Sequence, residues 1–149
     1  MLWKLKRFPD LTVDELYSIL QLRSEVFIIE QNCVYQDVDG KDPAAWHLMG
    51  LEGFELIAYT RILPPGISYN DPSIGRVVTL SSNRRFGLGR ELMNISIAEC
   101  QNLFGKTPIT LGAQSYLIHF YESLGFSVIG DEYIEDGIPH VQMTRKASS

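Results

Sequence analysis

One junction constrains this chain more than any other feature. An apolar strand, Ile74–Leu80, runs towards Arg84-Arg85-Phe86-Gly87-Leu88-Gly89-Arg90, which opens a helical pattern reaching about Phe104. The Val77-Val78 pair within that run predicts burial on both faces. Gly87 and Gly89 let the backbone approach a ligand with no Cβ in the way. The helix start adds unpaired N–H groups and the positive end of a dipole, an arrangement suited to anions. Gly105 is placed to end the helix. A strand, tight turn and helix in this order call for a layered α/β architecture.

Charge sharpens the point. The chain carries 13 Lys and Arg against 18 Asp and Glu, a net charge of −5, yet three arginines fall within these seven residues. A positive spot on an acidic chain points to a phosphate-bearing ligand, and the alternative is a capped helix with a solvated basic start. Overall acidity argues against a general nucleic-acid binder, whose affinity comes from neutralising phosphates. A dinucleotide-binding fingerprint needs a third glycine where Leu92 stands. Gly105-Lys106-Thr107 imitates the end of a P-loop, but Cys100 holds its first glycine position and the segment closes a helix instead of opening one.

With 149 residues, a single domain spanning 1–149 can bury a real core without a staple. No apolar run approaches the roughly 18–20 residues of a membrane span, and MLWKLKRFPD is too short and interrupted for a secretory signal. Cys33 and Cys100 lack metal-type spacing. The expectation is a soluble cytoplasmic domain with no metal, no membrane and no nucleic acid.

The remaining elements read as follows. Trp3–Arg7 is a short strand, and a helix runs from Val13 to Ile29, with Thr12 and Glu15 forming a capping box. Leu16, Leu20, Arg23 and Phe27 share one face of it, so the Arg23 guanidinium needs an acidic partner. Residues 31–43 form a polar loop. Asp37, Asp39 and Asp42 there fail as a calcium loop, because Tyr35 and Trp46 would fill its first and twelfth positions. The loop is either a hydrogen-bonded lid or an acidic rim favouring a cationic acceptor. Trp46–Gly50 and Leu56–Leu63 are strands, and Pro108–Leu111 opens another. Ser115–Leu124 is a helix ended by Gly125, Phe126–Ile129 a strand, Glu135-Asp136-Gly137 a turn, and His140–Arg145 the last strand. The order β-α-β-β-β-α-β-α-β-β predicts a mixed α/β fold with a sheet flanked by helices. Strands on either side of each late helix should run parallel, and the last two antiparallel.

Strand, then Arg-x-x-Gly-x-Gly (Arg84, Gly87, Gly89), then helix, resembles the acyl-CoA-binding motif of the GNAT N-acetyltransferase superfamily. A second block, Leu111-Gly112-Ala113-Gln114 before Phe120-Tyr121-Glu122-Ser123-Leu124-Gly125-Phe126, is similar to its strand-helix segment ending Tyr-x-x-x-Gly-Phe. Leu22–Phe27, Glu30–Cys33, Tyr35-Gln36-Asp37, Asp39-Gly40 and Glu135–His140 resemble the ElaA-type branch. These blocks span nearly the whole chain. The resemblance implies a mostly antiparallel twisted sheet of six or seven strands with a central, splayed parallel pair.

It also implies acetyl-CoA as donor and a small-molecule or peptide amine as acceptor, and it is compatible with a homodimer. Val77, Val78 and Thr79 would meet the pantetheine arm. Arg84, Arg85, Gly87, Gly89 and Arg90 would cradle the diphosphate, Gln114 would line the cofactor, and Tyr121 would contact it as the acid that protonates the departing thiolate. Arg85 stands where glycine is frequent in the family, and Ser81 where proline is.

The chemistry sets its own demands. An ammonium of pKa near ~10.4 must lose a proton before it attacks, and the developing oxyanion needs donors such as a main-chain N–H of Val77–Thr79. Tyr121 otherwise reads as a core aromatic beside Phe120. For the base, Glu30 ends the first helix beside the acidic loop, and it reads equally as a surface carboxylate or the partner of Arg23 or another base. His47 has a suitable intrinsic range but also fits a structural strand histidine. A water relay could replace either. His119 reads as helix surface, His140 as a strand end, and Cys33 and Cys100 as reduced structural thiols, with Cys33 close to the site. Three function classes follow: direct transfer in a ternary complex, a non-catalytic CoA-binding regulatory or interaction module, and a structural domain without a ligand.

Overall fold

The structure, a computed structural model, describes residues 1–84 and 87–147. Its elements are β1 (Leu2–Arg7), α1 (Val13–Arg23), β2 (Trp46–Glu52), β3 (Glu55–Leu63), β4 (Ser73–Thr79), α2 (Leu88–Phe104), β5 (Ile109–Gln114), α3 (Ile118–Glu122), β6 (Phe126–Glu135) and β7 (Ile138–Arg145). The order is the one the sequence predicts. Strands β1-β2-β3-β4 form an antiparallel meander, and a second sheet runs β5-β7-β6.

Period-two alternation explains how the first sheet is covered on both sides. Met49 and Tyr59 pack with Ile19, Leu22 and Val26 of the first helical segment, whereas their chain neighbours Leu48 and Ala58 pack with Leu88 and Leu92 of α2. The second sheet and the far end of α2 enclose another core around Met93, Ile97, Leu111, Tyr121 and Met143. The capping box at α1 is present: Glu15 N donates to Thr12 Oγ1 (3.0 Å) and Thr12 N to Glu15 Oε1 (2.8 Å). Gly87, at φ +89°, precedes α2, and Gly105, at φ +86°, closes it.

Five expectations need correcting. The buried stripe of the first helix is Ile19, Leu22, Arg23 and Val26, while Leu16, Leu20 and Phe27 are only half-buried. The segment Ser24–Glu30 is π-helical, so the face rotates where the chain reaches the site. The helix expected over Ser115–Leu124 begins as a 3₁₀ turn, Ser115–Leu117. β6 runs to Glu135, well past Ile129, because it is an edge strand exposed from Ser127 onwards and so has the composition of a loop. Val77 is half-exposed while Val78 is buried, so two-sided burial fails in the middle of β4.

The reason is a splay. β5 and β6 run the same way, each antiparallel to β7 between them. β4 and β5 instead meet where both begin, through a hydrogen bond from Thr110 N to the Pro72 carbonyl (3.1 Å), and build no ladder beyond it among the described residues. A β-bulge assists: β3 advances two residues from Tyr59 to Arg61 while the antiparallel β4 steps back three, from Val78 to Gly75. The extra residue bends the strand, and Arg76 sits there at φ +49°.

Candidate active site

Between the diverging halves of β4 and β5 lies a cleft of about 900 Å³. Of the residues expected to hold the cofactor, Val77, Val78, Thr79, Arg84, Gln114 and Tyr121 all line it. One edge of β4 is used by β3, with Val78 opposite Tyr59 and Thr79 opposite Ala58. The other edge faces the gap, which leaves main-chain donors and acceptors there for an extended ligand.

Gly87, Gly89 and Arg90 form the start of α2 behind Thr79. A Cβ on Gly89 would lie 3.8 Å from Phe120 Cζ, an ordinary contact, so packing within the chain does not require glycine at that position. Arg90 is committed elsewhere: Nη2 donates to Ser123 Oγ (2.9 Å) and its guanidinium lies over the Phe120 ring, tying α2 to the α3 end. Arg84 folds back on β4, with Nη2 donating to the Thr79 carbonyl (3.0 Å) and Nε to Thr79 Oγ1 (3.2 Å). Arg85 lies outside the described residues.

Tyr121 is 5% exposed, with its ring edge-on to Phe120 and Phe126. Burial, with a smaller contribution from Tyr116, pushes its hydroxyl up to about 12. The phenol therefore keeps its proton through the physiological range, as an acid must until a stronger base arises beside it.

The two base candidates part company. Glu30 lines the cleft, but its carboxylate is paired with Arg84 (Oε2 to Nη2, 2.8 Å). His47 is not brought to the cleft. It is fully buried on β2, with Nδ1 against Tyr59 Oη (2.6 Å) and Nε2 against the Asp42 carbonyl (3.0 Å). Burial holds its pKa below the ordinary value, against the raising effect of Asp42.

The acidic loop is a lattice of ion pairs and not a free acidic rim. Arg23, fully buried, donates from Nε to Asp37 Oδ2 (2.8 Å) and from Nη1 to Asp42 Oδ1 (2.9 Å), which supplies the partner its helical position demanded. Arg61 binds Asp39 in a bidentate pair at 2.8 Å and also reaches Asp42. Arg76 pairs with Asp37 (2.7 Å) and lies over the Tyr35 ring. Burial opposes ionisation of Asp39 and Asp42, but the arginine hydrogen bonds outweigh it and hold both below the usual carboxylate range. These contacts, with the cation–π stack, offset the left-handed backbone at Arg76, which for a non-glycine residue costs about 1–2 kcal/mol.

The opposite wall was missed in the sequence. Tyr69, Tyr133, Glu135 and His140 all line the cleft. A Cβ on Gly112 would lie 2.8 Å from Tyr133 Oη and 3.3 Å from Tyr69 Oη, so both phenols rest on a position that glycine leaves open. The rings of Tyr133 and His140 stack with centroids 5.8 Å apart. Asp136 and Gly137 both have positive φ, +51° and +76°, which is the two-residue hairpin turn favoured by Asp-Gly. That turn pairs Glu135 with Ile138 and Tyr133 with His140. The register was present in the sequence, but ending β6 at Ile129 hid it. Cys33 Sγ donates to the Asp136 carbonyl (3.2 Å) and thereby joins the two walls.

Residues 21–147 match the family model described as Acetyltransferase (GNAT) domain. Protein ElaA of Escherichia coli (strain K12) is 40% identical over 146 residues, covering 97% of this chain and 95% of that protein. The crystal structure of an acyl-CoA N-acyltransferase from Pseudomonas aeruginosa superposes with a TM-score of 0.92 at 43% identity, covering 97% of this chain and 99% of that one. An aminoglycoside 6′-N-acetyltransferase complexed with coenzyme A shares the fold, with a TM-score of 0.69 at 18% identity and 96% coverage of both chains.

Proposed function

The chain belongs to the GNAT acetyltransferase domain family, and from that premise we propose that it transfers an acetyl group from acetyl-CoA to a primary amine by direct attack within a ternary complex. The observation that carries this reading is the gap between β4 and β5 with Tyr121 at its wall. The edge of Val77–Thr79 that β3 leaves unpaired, apart from the Thr79 carbonyl held by Arg84, is suited to the amides of the pantetheine arm, and one of its N–H groups to the thioester oxyanion. Arg84, with the N–H groups of Gly87, Gly89 and Arg90 at the start of α2, is suited to the diphosphate. Arg85 and Gln114 belong to the same cradle by family resemblance.

The chemistry then falls to few groups. The amine nitrogen attacks the thioester carbon, the C–S bond breaks, and Tyr121 gives its proton to the leaving sulfur. Glu30 is occupied by Arg84 and competes with the diphosphate for that arginine. The loop wall and the hairpin wall flank the cleft that Tyr121 lines.

Two measurements test the proposal. Titration with acetyl-CoA should raise the melting temperature, because a ligand of the native state stabilises it by mass action. Labelled acetyl-CoA offered with a panel of primary amines should yield labelled amide from at least one. Binding without product from any amine would reassign the chain as a CoA-binding module, and no thermal shift would remove the cofactor itself.

A further inference from the structure

Acyl transfer to an amine begins with a proton that must leave the ammonium, and neither Glu30, paired with Arg84, nor His47, away from the cleft, is free to take it. The chain has three histidines. The side chain of His119 is 99% exposed on α3 and pairs with Glu122 there. His140 alone of the three lines the cleft, with 10% of its side chain exposed.

Its surroundings fix which nitrogen is basic. Nδ1 lies 2.7 Å from the Ile138 carbonyl oxygen. A carbonyl can only accept, so Nδ1 carries the hydrogen and the neutral ring keeps its lone pair on Nε2. Nε2 faces Glu135 Oε2 at 3.5 Å. With the ring neutral, two acceptors confront each other, and the favourable guest between them is an N–H donor bearing positive charge. When the ring takes a proton, Nε2–H and the carboxylate become donor and acceptor. Tyr133 stacks on the ring, and Gly112 leaves room for the phenols of Tyr133 and Tyr69. The groups facing the ring are thus Glu135 and Tyr133 from β6, Tyr69 behind Tyr133, and the uncharged Gln114 paired with it across β5.

We propose that His140 Nε2 is the base that accepts the acceptor's ammonium proton and that Glu135 seats that ammonium, an inference that rests on the transfer reaction proposed above. In this step one N–H bond of the ammonium breaks, its electron pair stays on nitrogen, and the proton bonds to Nε2. The freed amine attacks the thioester carbon, sulfur departs and takes the Tyr121 proton, and the adduct nitrogen sheds its remaining excess proton to water. The acceptor is therefore a cation at its reacting end.

His140→Asn keeps a donor for the Ile138 carbonyl and removes Nε2. With acetyl-CoA and phenethylamine as probe, kcat/KM at neutral pH should fall about 10²–10³-fold. The loss should shrink as pH rises towards the amine's own pKa, while acetyl-CoA affinity stays at the parent value. Nitrogen-15 spectra of histidine-labelled protein above neutral pH should show the Nδ1–H tautomer for His140 and the Nε2–H tautomer for His47. A parent-like rate and pH profile in His140→Asn, or an Nε2–H tautomer at His140, would overturn the base alone. A parent that binds acetyl-CoA yet acetylates no amine would overturn the transfer reaction, and the base with it.

Discussion

The two walls of the cleft are built on opposite principles. On the loop wall, three arginines and three aspartates pair their charges with one another, although Arg61 Nε and Arg76 Nε make no hydrogen bond, and His47 beside them has both ring nitrogens engaged. On the hairpin wall, β6 is largely exposed and one histidine nitrogen faces a carboxylate instead of a donor. A wall whose charges are spent on one another holds shape, whereas a carboxylate set against an imidazole nitrogen has something left to offer a substrate. Buried charges are tolerable in the first case because every one is paired.

If that division is right, damage to the loop wall should appear in stability and damage to the cleft in rate. Asp42→Ala should show the largest effect, since Asp42 serves both Arg23 and Arg61. Leaving buried guanidinium groups without it should cost about 3–5 kcal/mol, seen as a large drop in melting temperature. A variant as stable as the parent would break the comparison. Tyr121→Phe should leave the melting temperature and acetyl-CoA affinity nearly unchanged while lowering kcat about 10²–10³-fold. Loss of affinity in proportion to rate would make Tyr121 a packing residue.

The pH dependence of stability separates the walls further. His47 has a folded pKa below its unfolded value, so the stability it contributes is full above about 6.5 and is lost as pH falls through that range. The slope should not exceed about 1.4 kcal/mol per pH unit and should vanish in His47→Gln. Asp39 and Asp42 also have lowered values, so their contribution persists at mild acidity and begins to fail only below about pH 4. A melting temperature that first declines below pH 4 would contradict the buried, neutral state of His47. The smallest effect belongs to Glu30→Gln. Its pair with Arg84 is half-exposed and contributes under about 1 kcal/mol. Stability should barely move, and acetyl-CoA should bind slightly more tightly once the arginine is relieved of a competing carboxylate. Weaker binding would mean that Glu30 holds Arg84 in its productive position.

Local signals were dependable where the chain's own neighbours decide the outcome. The Thr12–Glu15 capping box, the Gly105 stop and the Asp136-Gly137 turn depend on contacts a few residues apart, and all three are present. The need of Arg23 for an acid was legible from its place on an apolar face, and the aspartates that meet it lay in the adjoining loop. The stripe around it was misread because two apolar rows share the helix, and the burial falls on Ile19, Leu22, Arg23 and Val26, which keep ordinary i, i+3, i+4, i+7 spacing, while Leu16 and Leu20 flank them.

By itself, then, the sequence determined the element order, the glycine-marked turn before α2 and the family to which both belong. It could not say whether Asp37, Asp39 and Asp42 were free or spent, because that depended on Arg61 and Arg76 arriving from distant strands. Nor could it separate the buried histidines. Only the pairing of β2 with β3 and the return of Asp42 decided that His47 has both nitrogens occupied, and only the hairpin register set His140 Nε2 against Glu135. Charge and proton position are set by what surrounds a group in space, and only folding supplies those surroundings.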